Sequence, residues 1–512
     1  MTHIDPRLTR IASMLRPGFL APAIFQLGEP PQPARARELE SLGAVSRYTG
    51  RFVPQIHADI PIDGLPRFER SGVPAILRYD EPVYAFAETV QKPVNPLRST
   101  KEEIDARINQ RVQSTTPAPK PNPHYRSYLG AQGPMLVPMG AKEFTLDDVR
   151  KFHRSDVIFD QGHTGRGIKV AVLDTGADPA HPMLEGRIVK ALSFVPEEPG
   201  TDKNGHGSWT SSCVAGKRIE YQGRIAELRG KELQGMSEAD IIDIKCLTGE
   251  GSGAVSGIVQ SVEAAVLEGA NLISMSLGSL FDGGGLTPDS QAVDEAVRRG
   301  VPAVCAVGNQ FSWAAVGSPA SARAAVAVGS CAMQNPAPGA VSSFSSKGPS
   351  RTGSIRPSLV AAGGQLGPNM DETILGASSG VIATESSEAW ALLRGSSMST
   401  PAVAGVFAQL FNAGFPKDRQ RIEEVIAMGT RRAVPRPLGG GHGAVKDNRT
   451  GWGVLDGVRM LEALGRPAPP GVRLAGAVHG ARTRPFLALV SNFMQSLQTQ
   501  SNRTEQLRLG LV

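Results

Sequence analysis

The sequence predicts an α/β protein: a doubly wound, mostly parallel sheet over residues 142–465, preceded by a small α+β unit over residues 18–90. Three observations carry this. Short, nearly continuous apolar runs (IKVAVLD, DIIDIKCL, NLISMSL and VPAVCAVG) have the pattern of strands buried on both faces of a parallel sheet. Between them stand amphipathic helical segments: GAVSGIVQSVEAAVLEG sets Val255, Ile258, Val259, Val262 and Val266 on one face, and DSQAVDEAVRRG stops on a glycine. Strand and helix alternating in this way build a doubly wound domain. The upstream unit has a different order and a different period.

Residues 1–17 form an N-terminal segment. In the unit 18–90, FLAPAIFQL reads as a strand, ARARELESLG as a short polar helix, and VSRYTGRFVPQIHADIP as two extended runs. LPRFERSG then reads as a helix and VPAILRYDEPVYAF as a last strand, so the order is βαββαβ, which is ferredoxin-like. Over 91–141 the composition shifts. KEEIDARINQRV has a helical pattern, but TTPAPKPNP is a Pro-rich, semi-rigid linker and marks the domain boundary. The tail 466–512 opens with RPAPPG, which breaks the preceding helix, and continues with the weakly amphipathic FLALVSNFMQSLQTQ.

The chain has 512 residues, 40% hydrophobic and 20% charged, with a net charge of +6, which suits a globular protein of several units. Its Lys and Arg residues are scattered, with no basic run or aromatic-interleaved stripe, so nucleic acid is not an expected partner. No stretch approaches the roughly 20 apolar residues of a membrane span. The N-terminal MTHIDPRLTRIASMLRPGF lacks the apolar core and cleavage site of a secretory signal, so the expected location is cytoplasmic, with non-classical export as the alternative. Cys213, Cys246, Cys305 and Cys331 sit in apolar contexts and read as buried free thiols rather than a disulfide framework.

In an open parallel sheet, ligands bind beyond the carboxyl ends of the strands. Asp174 follows the strand IKVAVL and precedes Thr175-Gly176. His206 lies in NGHGSWTSSCVAG, between two glycines and at the start of a small-residue helix. Ser397 lies in RGSSMSTPAVAGVFAQL, a turn of small residues running into an apolar helix whose dipole favours a developing oxyanion. Asn309 ends the strand VPAVCAVG, which aims its amide into the same crevice. Each has an ordinary reading by itself: a strand-end Asp or a pre-helix Ser caps a helix, and an Asn after Gly forms a turn. Asp, His and Ser together, each at the mouth of its own element, are a coincidence that structure alone does not demand.

VAVLDTG, NGHGSWTSSCVAG and GSSMSTPAVAG resemble the three active-site signatures of the subtilisin-like serine proteases, in that family's order. The resemblance covers roughly residues 142–465 and extends to SMSLGS, AVGN, VGSPA, FSSKGPS and GWGVLDGVRMLEAL. It implies Ser397 as nucleophile, His206 as general base and then acid, Asp174 as the orienting carboxylate, and Asn309 as the side-chain donor of the oxyanion hole. Ser208, Ser396 and Ser399 replace the more usual Thr, Thr and Ala, small for small. Ser276, Leu277 and Gly278 resemble the strand that pairs with an extended protein or peptide substrate. Gly317 stands where the family floors its primary specificity pocket, and implies a large apolar side chain as guest. Thr175 stands where the dibasic-cleaving branch carries a second acid, so that specificity is not expected.

Calcium is common in the family, but Met183 replaces a frequent carboxylate ligand and KRIEYQGRIAELRGKEL replaces the oxygen-rich loop, so no cofactor is expected to be required. The unit 18–90 resembles the family's inhibitory propeptide. It would act as an intramolecular inhibitor, with PVYAF in the cleft and Phe86 in the open pocket. Cleavage would then fall after Phe86 or within the linker; a permanent accessory domain is the alternative. A separate inhibitor protein or delayed export is the alternative restraint for a protease without a leader. Two other classes compete: a non-catalytic peptide-binding protein, which has no use for all four residues, and a serine esterase, which needs a G-x-S-x-G elbow that GSSMS does not supply.

Overall fold

A computed structural model describes residues 2–6, 8, 9, 20–71, 73, 75–80, 82–85, 126–130, 133–137, 142–195, 198, 200–223, 225–279, 284–367, 370–379, 389–431 and 446–467. Phe86, KEEIDARINQRV, TTPAPKPNP and FLALVSNFMQSLQTQ lie outside them.

Seven parallel strands form the main sheet, in the order Ile188–Ser193, Asp240–Lys245, Lys169–Asp174, Leu272–Met275, Ala303–Ala306, Val326–Cys331, Leu359–Ala362. Both faces are covered, which is why the strands read as continuous apolar runs. Along Lys169–Asp174 alternate side chains enter opposite cores: Ala171 and Leu173 pack with the helices Val255–Leu267 and Pro288–Arg298, and Val170 and Val172 with Ser396–Asn412 and Arg419–Gly429. Burial of each Val and Leu there stabilises the fold by roughly 1.5–3 kcal/mol. The period-2 alternation thus sandwiches the sheet between two helical layers and leaves the strand ends for loops.

The upstream unit has the expected βαββαβ order: Leu20–Leu27, Pro33–Ser41, Val45–Thr49, Gln55–Pro61, Leu65–Arg70, Ala75–Tyr79. Both helices carry proline at their first turn, where the missing N–H costs nothing. Phe25, Leu39, Ile56, Phe68 and Leu77 fill its core. The segment 1–17 adds a short strand, His3–Ile4, parallel to Ala75–Tyr79.

The segment 91–141 is not a plain linker throughout. Arg126–Gly130 and Gly133–Val137 form a hairpin, and Leu129 pairs in parallel with Leu393. They complete a second, five-stranded sheet with Trp390–Leu393, Glu372–Ala377 and Lys142–Thr145. RSYLG and GPMLV are too short and weakly patterned to declare themselves, and their partner strand is far away in sequence.

The two units share a third sheet. Pro82–Ala85 lies antiparallel between Ser252–Ala254 and Leu277–Gly278, with Ala85 opposite Leu277 and Tyr84 opposite Gly278 and Ser252. Ile24, Phe52, Val53 and Val83 of the upstream unit are buried in the same core as Leu277 and Val255. Around that contact, Glu263 Oε1 accepts the backbone N–H groups of Arg51, Phe52 and Val53 at 2.8, 2.8 and 3.3 Å. Gln55 Nε2 donates to Pro288 O at 2.9 Å, Gln26 Nε2 to Leu286 O at 3.0 Å, and the Arg299 guanidinium sits 4.0 Å above the Phe52 ring.

Candidate active site

Asp174 is the last residue of the interior strand Lys169–Asp174, and two residues on Gly176 turns the chain with φ +97°. The turn lets the helix His206–Ala215 start directly beside the strand tip, because Gly207 has no Cβ to strike the Gly176 carbonyl. His206 is the first residue of that helix and is fully buried. Its Nδ1 lies 2.7 Å from Asp174 Oδ1. A carboxylate there requires the proton on Nδ1, which leaves Nε2 as the base. Among the described residues Nε2 has no hydrogen-bond partner. Asp174 is held in turn by Thr175 N at 2.8 Å and Thr210 Oγ1 at 3.2 Å.

Ser397 is the second residue of the helix Ser396–Asn412, where backbone N–H groups lack intrahelical acceptors. Gly395 precedes the helix with φ +148°, a backbone that side chains avoid. Ser397 Oγ donates to Ser276 O at 3.0 Å, and Ser276 Oγ donates back to Ser397 O at 2.9 Å. The structure therefore joins Asp174 to His206 and ties Ser397 to the Ser276–Gly278 segment rather than to the imidazole. Asn309 Oδ1 accepts Ser396 N at 2.8 Å, which orients the amide so that its NH₂ lies beside Gly395. Gly317 N donates to Val307 O at 3.2 Å, and Ser279 N to Ser318 O at 2.8 Å, so the Gly317 segment and the Ser276–Gly278 segment brace each other.

Sequence reasoning missed the polar residues behind the site. Asp202, fully buried, accepts Asn204 N, Gly205 N, Ser208 N, Ser208 Oγ and Thr175 Oγ1 at 2.8–2.9 Å, and so shapes the turn that delivers His206. Burial pushes its carboxyl pKa up against those bonds. Lys245 pairs in register with Asp174 on the adjacent strand, and its buried Nζ donates to Thr175 O at 2.7 Å and Leu247 O at 3.0 Å. Asp243 accepts Ala177 N at 3.1 Å, and burial raises its pKa to about 8. The one available signal was charge inside an apolar strand, in DIIDIK. All four cysteines are free and buried, and burial raises their pKa values; Cys246 Sγ donates to Asp174 O at 3.7 Å.

The family model described as the subtilase family matches residues 165–453, which contain all four of these side chains. The chain belongs to the subtilase family. An intracellular serine protease of Paenibacillus polymyxa is 30% identical over 285 residues, covering 53% of this chain and 75% of that one. The serine protease AprX of Bacillus subtilis is 31% identical over 298 residues, covering 54% of this chain and 64% of its own length. Fervidolysin of Fervidobacterium pennivorans, described as a keratinolytic enzyme related to subtilisin, has a similar fold, with TM-score 0.59 and 17% identity over 89% of this chain and 63% of that one. This subtilase is accordingly a subtilisin-like serine endopeptidase, a hydrolase of peptide bonds. None of its described helices is long and apolar enough to cross a membrane.

Proposed function

We propose that Ser397, His206 and Asp174 hydrolyse peptide bonds in extended protein segments, with Asn309 in the oxyanion hole, and that the chain is made as a self-inhibited precursor. The observation that carries this is the antiparallel seat of Pro82–Ala85 between Ser252–Ala254 and Leu277–Gly278. A substrate would add to the same two edges. Phe86, the next residue in the sequence, is the proposed P1 residue for the Gly317 pocket, with the scissile bond after it.

In the reaction, rotation of the Ser397 side chain would carry Oγ from the Ser276 carbonyl to His206 Nε2. The imidazole takes the hydroxyl proton as Oγ bonds to the substrate carbonyl carbon, and Asp174 stabilises the imidazolium. The Asn309 NH₂ and the Ser397 N–H hold the oxyanion. His206 returns the proton to the leaving amine as the C–N bond breaks. Water then hydrolyses the acyl-enzyme by the same route in reverse. The Gly317 pocket favours a large apolar residue at P1.

The residues at the calcium-loop position do not fit a cation cage. Met183, Tyr221, Ile225, Leu228 and Leu233 pack there in one apolar cluster. An intracellular site of action, which the Paenibacillus relative's name states of that protein, completes the proposal.

A fluorophosphonate probe tests it. Labelling of wild type but not of Ser397→Ala, with labelling increasing once the upstream unit is cut away, is the expected result. No labelling of a folded chain after that cut would sink the reading.

A further inference from the structure

The backbone from Gly317 to Ala325 joins the strands Ala303–Ala306 and Val326–Cys331 on the pocket side, and it contains neither helix nor strand. Its internal bonds are turns: Ser321 N to Gly317 O at 3.0 Å and Ala322 N to Pro319 O at 2.9 Å. Three of its carbonyls turn inward onto one cation. Arg356, 0% exposed, donates from Nε to Ala320 O at 3.2 Å and from Nη2 to Ala322 O and Arg323 O at 2.5 and 3.3 Å. Arg356 is pinned itself, its N–H to Asn448 Oδ1 at 3.3 Å and its carbonyl to Gly348 N at 3.1 Å. The far end of the segment is held by Arg419, which donates to Ala324 O and Ala325 O at 2.7 and 3.2 Å.

A buried charge is costly unless its donors are matched, and here backbone carbonyls accept from Nε and Nη2. The guanidinium is a rigid planar fork, so it can hold several carbonyls at once, whereas an ammonium is a point charge on a flexible stem. The segment it holds begins at Gly317, and Ser318 O is the group that ties this wall to Ser279 on the substrate-pairing side. Ser318 Oγ also donates to the buried Asp289 carboxylate.

The geometry points to Arg356 as the positioning residue of the primary specificity pocket. It touches no substrate. It sets the width of the slot between the Gly317 wall and Ser276–Gly278, and through that width the preference for a large P1 side chain. This rests on the reading of Gly317 as the pocket floor.

The test compares wild type, Arg356→Lys, Arg356→Gln and Gly317→Val, each folded at full length, then freed of the upstream unit by cleavage and titrated for active sites with a fluorophosphonate, on two peptides that differ only in Phe or Ala at P1. The Arg356 variants are expected to lose about tenfold or more in kcat/KM on the Phe peptide, mainly through KM, and to lose the Phe/Ala ratio with it. Their rate of fluorophosphonate labelling stays within about twofold of wild type, which a general loss of structure would not allow. Lys, the smaller change, keeps the test open if Gln prevents folding. Equal losses on both peptides and in labelling, or an unchanged ratio in a folded variant, overturn the assignment. If Gly317→Val leaves the ratio unchanged, the pocket reading fails and the assignment with it. If Gly317→Val abolishes the ratio while the Arg356 variants keep it, the assignment alone fails.

Discussion

The backbone N–H of Ser256 donates to the Asp80 carboxylate at 2.8 Å. Ser256 is the second residue of the helix Val255–Leu267, whose N-cap, Ala254, has no side-chain acceptor to offer. Asp80 follows the last strand of the upstream unit's sheet. One unit thus caps a helix of the other, beside the strand Pro82–Ala85 that pairs with Ser252–Ala254 and Leu277–Gly278.

Burial raises the Asp80 pKa from 3.8 to about 6. A raised carboxyl pKa means that the docked state keeps a proton the separated state has already lost. Its contribution is therefore fully present below about pH 4 and is lost as pH rises through about 6, by up to about 3 kcal/mol. Urea midpoints of the inactive Ser397→Ala chain should fall over that interval, and adding Asp80→Asn should flatten the fall. An identical pH dependence in the two proteins would refute the assignment.

Glu263 accepts three consecutive N–H groups from residues 51–53. Glu263→Ala strands those donors at a buried contact and should weaken docking by about 2–5 kcal/mol without touching the chemistry. The fluorophosphonate labelling rate of the uncut chain should then rise at least about tenfold, since 1.4 kcal/mol is a factor of ten. No change would show that docking does not limit access to Ser397.

Asn309→Ala removes the oriented amide while leaving His206 and Ser397 in place. Loss of one oxyanion donor is expected to lower kcat by about 10²–10³-fold with little change in KM, a magnitude that comes from subtilisin itself rather than from this geometry. A loss confined to KM would place Asn309 outside the oxyanion hole.

At Gly207, an added Cβ would lie 1.9 Å from the Gly176 carbonyl oxygen, on the contact that joins the Asp174 turn to the His206 helix. Gly207→Ala should destabilise by more than about 3 kcal/mol, since backbone on both sides leaves no side chain to yield. Thermal melting checks this; a melting temperature within about 2 °C of the parent would contradict it.

Much of the site is legible in the sequence. Apolar runs such as IKVAVLD and VPAVCAVG marked strands buried on both faces, so Asp174 and Asn309 at their ends had to lie at one rim of the sheet. The small-residue segments around His206 and Ser397 likewise marked helix starts. The βαββαβ order of the upstream unit was readable because each element is short and bounded by Gly, Pro or polar turns. Less was readable where the partner is remote. Arg126–Gly130 carries too little pattern to announce its pairing with Trp390–Leu393, and Arg356 in SIRPS looks like any surface arginine.

By itself, the sequence determined the fold class, the family and the residues gathered at the strand ends, because hydrophobic period and turn chemistry are local properties that a core then collects. Only the tertiary structure decided that Ser397 rests on the Ser276 carbonyl, that Asp80 caps the Val255–Leu267 helix, and that Arg356 holds the Gly317 wall. Those are contacts of buried polar groups, and the partner of a buried polar group is set by which distant backbone N–H or C=O the fold leaves unsatisfied beside it.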